Sequence, residues 1–359
     1  MKMDILFSKT RSSIKRRKKE PLPKPSLFSA KYAYLREDPD NFFANVKISM
    51  ETFDYILEIV REDLTVPVRS ARNFTPEERL FMTLKFLATG MSVKKLASCF
   101  GTVPVTGNNI IFSTLNVIWS RLHPIHLRDP SHAEMNNLAK EYNDKWKFPN
   151  CVGAIGGKYV RTINPTKGIA RKVIMNAVVD ANFRFLGTHV IRRRSSEDML
   201  VRNVFNIMGM QCLPNTEVML PLVIIGNEAY PLKSNLMKPY PARTAAICEG
   251  KRMFNDRLKQ ARIPVDCAFE ILTEKWKVFT RPFVLSLADT RVVIKATCLL
   301  YNIVKDREGD RDPHFSKFGH VDNGIIYLNL VTHKSRKNNR ASSIAISIRD
   351  QLRDYIRNN

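Results

Sequence analysis

Up to about residue 147 the apolar residues of this chain return at helical spacing, and from Asn150 onward they come in short runs rich in Val and Ile. That change of period limits the fold more than any other feature. Apolar residues at i, i+3 and i+4 build amphipathic helices, whereas short apolar runs between polar turns build strands. Phe42, Phe43, Val46 and the stretch from Met50 to Leu57 set up the first helical face. A second helix opens at Thr75, a good N-cap, with Pro76 at the first helical position and Glu78 three residues after the cap, the order of a capping box. It stops at Gly90. A short helix follows over Val93 to Cys99, and a third stretch runs from near Val105 to Leu122. Helix, short Gly-containing turn, helix is the order of a helix-turn-helix, whose second helix enters a major groove; it is equally the order of three packed helices. Lys94 and Lys95 are therefore candidate phosphate contacts or a solvated face.

Beyond Asn150, Cys151 to Ile155 predicts a strand, and Lys172 to Val179 and Phe185 to Ile191 predict two more, joined by the turn Asp180-Ala181-Asn182. Ser195 to Asp198 offers N-caps for a helix through Met208. Val218 to Ile225 predicts a fourth strand, and helices are expected over 249–262, 264–279 and 283–306. Strands in a run, then strands alternating with helices, imply an α+β or mixed α/β sheet. Residues 307–340 are polar and basic, with a strand-like run at Gly324 to Val331. The stretch 341–357 reads as an amphipathic helix with Ile344, Ile348, Leu352 and Tyr355 on one side. The expected organisation is a basic disordered tail (1–30), a helix-turn-helix-like helical region (40–147), a sheet domain (150–306) and a basic C-terminal extension ending in a helix (307–359).

Charge narrows the partner. Lys and Arg number 58 against 34 Asp and Glu, a formal +24. A surplus of that size points to a polyanion, because Lys and Arg release counterions from phosphate backbones. Lys15, Arg16, Arg17, Lys18 and Lys19 form a run of five cations, a candidate nuclear import signal or a solvated charge run. Arg192, Arg193 and Arg194 follow a predicted strand, where they could meet DNA phosphates. The six cysteines show no Cys-x-x-Cys pair and no nearby His at zinc spacing, so they read as reduced, buried thiols of an intracellular protein. The longest apolar run, Val218 to Ile225, is far too short to span a bilayer, and no membrane partner is expected.

Three local sequences carry a resemblance. Cys151-Val-Gly-Ala-Ile-Gly-Gly-Lys-Tyr-Val160 is similar to the strand that reads GAIDGTH in Harbinger-type DDE transposases. Val223-Ile-Ile-Gly-Asn-Glu-Ala-Tyr-Pro-Leu232 resembles the family's LLGDSGYPL. Phe254 to Phe269, followed by Trp276, resembles its FN..L..AR..VE.AFG segment, and Cys298-Leu-Leu-Tyr-Asn302 stands in place of C.VLHN. The motifs come in the family's order and span roughly residues 40–306. The resemblance implies an RNase H-like DDE fold in which three motifs each deliver one acid. Those acids hold two Mg²⁺ ions roughly 4 Å apart, which activate water and stabilise the leaving oxygen.

At the matching positions this chain has Gly156, Asn227 and Asp266. Glycine has no side chain to coordinate with, asparagine is neutral, and the aspartate is one methylene shorter than the family's glutamate. Loss of even an orienting neighbour of a metal ligand costs roughly 10–100-fold, so loss of two ligands removes two-metal catalysis. Asp180 and Glu228 are the other acids that could join Asp266 in a rebuilt site; Asp180 reads more simply as a hairpin residue. Asp198 would sit at a helix N-terminus.

The function this implies is that of a domesticated transposase-like nuclear protein, inactive as a nuclease, that works through DNA binding, protein contacts or both, in a chromatin or transcription setting. No cofactor is expected. The resemblance also implies a separate Myb/SANT-like or MADF-type partner. Two alternatives stand. One is an endonuclease that uses Mg²⁺ or Mn²⁺ at a rebuilt acidic site. The other is a structural interaction module without DNA contact. The expected location is the nucleus, alone or shared with the cytoplasm.

Overall fold

The fold is seen in a computed structural model that describes residues 27–65, 73–191, 209–317 and 341–359. The basic run Lys15–Lys19, the Arg192–Arg194 cluster, Asp198, the helix expected up to Met208 and the strand expected at Gly324 to Val331 lie outside the described residues.

Among those residues seven helices precede the sheet: α1 (Leu27–Glu37), α2 (Pro39–Val46), α3 (Met50–Leu64), α4 (Pro76–Thr89), α5 (Val93–Cys99), α6 (Pro104–His126) and α7 (His132–Trp146). The helical region starts earlier than expected, at Leu27. Most of the helix starts are capped by a short hydroxyl side chain, as N-cap chemistry requires. Ser49 accepts from the Thr52 N–H, Thr75 from Glu78, Ser92 from Lys95 and Ser131 from Glu134. At Ser131 the box is reciprocal, since the Glu134 carboxylate accepts the Ser131 N–H at 2.8 Å. α4 ends at Gly90, whose φ of 63° is left-handed.

Strands β1 (Cys151–Ile163), β2 (Ala170–Val179), β3 (Phe185–Ile191), β6 (Val223–Ile225) and β7 (Leu236–Met237) form one sheet in the order β3-β2-β1-β6-β7. The first three form an antiparallel meander, and β1, β6 and β7 run parallel. An antiparallel meander whose first strand then pairs in parallel with later ones is the RNase H-like arrangement. A separate ribbon pairs β4 (Met210–Cys212) with β5 (Met219–Pro221). Helices α8 (Glu249–Ala261), α9 (Ile263–Lys275), α10 (Leu287–Arg307) and α11 (Ser343–Asn358) complete the described fold. No helix of the described residues is long and apolar enough to cross a membrane.

Several expected boundaries move, for physical reasons. β1 does not stop at Ile155 but pairs with β2 as far as Ile163↔Ala170; the glycines at 156 and 157 interrupt the apolar run and hide the strand's second half. Val218 to Ile225 is two strands in two sheets. Pro221 cannot donate to a ladder, and after it Leu222 donates to the Gly209 carbonyl and Val223 to the Asn150 carbonyl. The helix expected over 264–279 ends at Lys275, where Trp276 turns extended. The next one begins only at Leu287, because Pro282 favours an extended residue before it and Ser286 caps the helix through the Asp289 N–H. Between them residues 281–285 form a strap along β1, tied by Ile163 N–H to Phe283 C=O at 2.7 Å and Phe283 N–H to Arg161 C=O at 2.9 Å. The buried face of α11 is Ala345, Ile348, Leu352 and Ile356, not the face through Ile344, which is 66% exposed. The cysteines are free thiols, but only Cys151, Cys267 and Cys298 are buried; Cys99 and Cys212 are exposed.

One apolar core runs from Phe42, Phe53 and Phe81 of the helical region through Val179 and Phe185 of the sheet to Phe269, Tyr301 and Leu352. On the other face of the sheet Val152, Ile155, Val178 and Ile224 pack with Ala139 of α7 and with Tyr230. Asn302 of α10 fastens the sheet to the helices. Its amide nitrogen donates to the Phe185 and His126 carbonyls and its oxygen accepts the Phe185 N–H.

Candidate functional site

β1 is the central strand, and its alternation decides which residues meet α9. Gly156 and Lys158 point to that helix. A Cβ built on Gly156 would lie 2.8 Å from Val265 Cγ2 and 3.0 Å from Phe269 Cε2. Lys158 Nζ donates to Glu270 Oε1 and to Thr273 Oγ1, both at 3.1 Å. Gly157 points to the opposite face, where its Cβ would meet Asn176 Oδ1 at 2.8 Å and Tyr230 Oη at 3.4 Å. Tyr230 closes that side, its hydroxyl donating to Asn176 Oδ1 at 3.1 Å.

The three family-matched positions stand on β1, just after β6 and on α9. Ala154 pairs with Ile225 across the parallel β1/β6 ladder, so two residues on, Gly156 is level with Asn227. Asp266 lies on α9 between Val265, which covers Gly156, and the rest of the helix turn that ends at Phe269. The side chains at these positions are not a metal-binding set. Asn227 Oδ1 accepts the Ala229 N–H at 3.0 Å, an Asx turn after the end of β6. Glu228, in the same turn, is exposed.

Asp266 is mostly buried, and its Oδ1 faces Arg262 Nη2 at 3.5 Å without a hydrogen bond. Burial pushes its carboxyl up to about 6, a rise that Arg262 opposes and the Glu270 charge, one turn on, reinforces. The three acids of this row of α9 thus each have a side-chain cation as neighbour: Asp266 has Arg262, Glu270 has Lys158 and Glu274 has Lys317.

Asp180 is elsewhere. Its Oδ1 accepts the Asn182 and Arg184 N–H groups at 2.8 and 2.9 Å, which makes it the anchor of the β2–β3 turn. It is buried, and burial raises its carboxyl to about 6 against the pull of those two N–H groups and Arg184. Asp180, Glu228 and Asp266 therefore do not form one centre; among the described residues no three His, Cys, Asp or Glu side chains converge as metal ligands. The residues present do not fit a pair of Mg²⁺ ions, because one position is filled by Val265 and Phe269, one carries a neutral amide engaged in its own turn, and the remaining acid faces a guanidinium.

Lys94 and Lys95 are exposed on α5, the short second helix of the α4–α5–α6 unit. Lys158, Arg262, Val265, Phe269 and Glu270 are not among the site residues expected from the sequence. Two signals were available for them. Lys158 is two strand positions after Gly156, hence on the same face, and Glu270 is one helical turn after Asp266.

Comparison with known proteins agrees with this geometry. The family described as DDE superfamily endonuclease matches residues 200–302. The chain is similar to the Protein ALP1-like of Arabidopsis thaliana, 25% identical over 348 residues, which cover 89% of this chain and 82% of the relative. It is also similar to the Protein Antagonist of Like Heterochromatin Protein 1 of Arabidopsis thaliana, 23% identical over 306 residues, 77% of this chain and 76% of the relative. No solved structure matches. The match over residues 200–302, the two relatives and the RNase H-like strand order are consistent with the Harbinger-type, transposase-derived proteins of the DDE superfamily that the sequence resembles.

Proposed function

We propose that this protein is a domesticated, nuclease-inactive transposase-like factor that works in the nucleus through DNA and protein contacts. One observation carries the reading: where the family needs its first acid, Gly156 lies under Val265 and Phe269, with no room even for a Cβ. Two-metal hydrolysis needs several carboxylates converging on a polar cleft, and here an apolar contact takes that space. The relative whose name makes it an antagonist of Like Heterochromatin Protein 1 supports a chromatin setting. The formal +24 supports contact with DNA phosphates, through Lys94, Lys95 and the Arg192–Arg194 cluster. The run Lys15–Lys19 supports nuclear import, and a separate Myb/SANT-like or MADF-type protein is the partner that the family resemblance suggests for DNA recognition.

The test is nicking of supercoiled plasmid by the purified full chain in Mg²⁺ or Mn²⁺. The wild-type protein is expected to be silent. A repaired variant needs Gly156→Asp, Asn227→Asp and Asp266→Glu together with Val265→Ala, since the aspartate has no space without the last change. Nicking by the wild type that disappears in Asp266→Ala would establish the endonuclease with a rebuilt site and end this reading. Binding to duplex DNA is expected to weaken steeply with salt; binding without salt dependence, or none, would leave protein contacts alone.

A further inference from the structure

An apolar groove lies away from the Gly156 site, where the helical region meets the strap. Its cavity volume is about 790 Å³. Met91, Val93 and Val105 line it from the α4–α5–α6 side, and Phe283, Val284 and Leu285 from the strap. Its floor is rigid. Gly90 approaches the Lys277 backbone so closely that a Cβ there would fall 2.5 Å from the Lys277 oxygen. The rim is apolar as well: Val105 is 71% exposed and Val284 60%. A small molecule within the groove would leave those valines in water. A macromolecular surface laid across it would cover them, and contiguous exposed apolar surface of this kind marks interaction sites.

Charge selects the partner. Among the described residues no Asp or Glu lines the groove, whereas Arg281 does. Arg281 also lines the adjoining cleft, where Lys158, Arg161 and Lys277 join it and the one carboxylate among the described lining residues, Glu274, is paired with Lys317. On the opposite wall α5 continues from Val93 into the exposed Lys94 and Lys95. Cations thus border an apolar centre on two sides. Duplex DNA would satisfy the cations but has no apolar side chains to place over Val105 and Val284. A peptide with apolar anchors flanked by carboxylates satisfies both.

We infer that this groove is the docking site for an acidic, amphipathic segment of a protein partner. The inference rests on the proposed non-nuclease role and gives its protein contacts a location.

The probe is a phage-displayed library of random 16-residue peptides, panned on the full-length protein and counter-selected on the double variant Val105→Glu/Val284→Glu. Both valines are exposed, so the variant keeps its fold, which circular dichroism and Tm check. Enriched peptides are expected to carry Leu, Ile or Phe anchors with Asp or Glu beside them. Measured by fluorescence polarisation, the selected peptides are expected to bind Arg281→Glu and Val284→Glu at least roughly tenfold more weakly, the effect of losing an interface anchor. The proposal falls if no sequence is enriched over the counter-selection, if the enriched sequences are basic, or if Val284→Glu binds them like the wild type. It also falls if a 20-base-pair duplex displaces them completely, which would make the groove part of a DNA surface. The plasmid assay is independent. A protein that does not nick and does not bind peptide loses only this docking site, and one that nicks loses the role on which it rests.

Discussion

Val265 of α9 sits directly over Gly156 of β1, with its Cγ2 only 2.8 Å from the point a Cβ at 156 would occupy. Any side chain at 156 therefore displaces the helix or the valine. Gly156→Ala and Gly156→Asp are expected to destabilise the fold, the alanine by roughly 1–3 kcal/mol, the range for overpacking a filled core. Val265→Ala should return part of that loss when combined with either change. A double-mutant cycle by urea denaturation reads the coupling, and purely additive effects would mean that the two residues do not compete for space.

Gly90 carries two constraints at once: φ is 63°, and the Lys277 carbonyl oxygen lies only 2.5 Å from where its Cβ would be. Gly90→Ala is expected to cost roughly 2–4 kcal/mol, combining the left-handed penalty with a clash against backbone. Thermal denaturation followed by circular dichroism measures it. A change in Tm of only a degree or two would show that α4 and the turn after Trp276 can separate freely.

Asp180 gives the protein a pH dependence of a definite sign. Its folded-state carboxyl is raised to about 6 by burial, so the fold is penalised when the group ionises. The stability carried by the neutral acid is fully present below the unfolded-state pKa of about 3.9 and is lost as pH rises through 6. Arg184, Glu141 and Lys305 are the charged neighbours that modulate it. Asp180→Asn keeps an oxygen for the Asn182 and Arg184 N–H groups and removes the titration. Its Tm is expected to exceed that of the wild type at pH 7.5 and to converge on it as pH falls toward about 4. Parallel curves for the two proteins between these pH values would contradict the assignment.

Asn302 meets both backbone groups of Phe185 and the His126 carbonyl from inside the core. Asn302→Leu leaves those groups buried without partners, which is expected to cost roughly 2–4 kcal/mol. Hydrogen exchange should find the Phe185 amide among the groups most deprotected by the change. Unaltered exchange at Phe185 would mean that the amide is held by something else.

Periodicity located the helices between Phe42 and Leu122, though not α1 or α7, because each apolar stripe there faces a single core, as Phe42, Phe53 and Phe81 do. It failed where backbone, not side chains, carries the structure. The second half of β1 was concealed because Gly156 and Gly157 have no side chains to alternate. The division at Pro221 was missed because a run of apolar residues looks the same whether it serves one sheet or two. The C-terminal face was drawn one residue out of phase, through Ile344 and not Ala345, because a bulky residue outweighs a small one in any apolar pattern.

The resemblance points to positions 156, 227 and 266, where the sequence has Gly, Asn and Asp. What surrounds Gly156 was not legible, since the approach of Val265 and Phe269 to β1 depends on how α9 packs, a tertiary fact with no local sequence mark.

For a gene, glycine to aspartate is a small step. On the proposed reading it is a blocked one for this protein, because Val265, a neighbour on another element, fills the space beside 156. An acid that returned alone would unsettle the core before it could bind anything, so selection would meet the damage first and the benefit only after a second change in α9. The Gly156–Val265 contact works as a ratchet: it lets the sequence around it drift while making the path back to a carboxylate pass through a less stable protein.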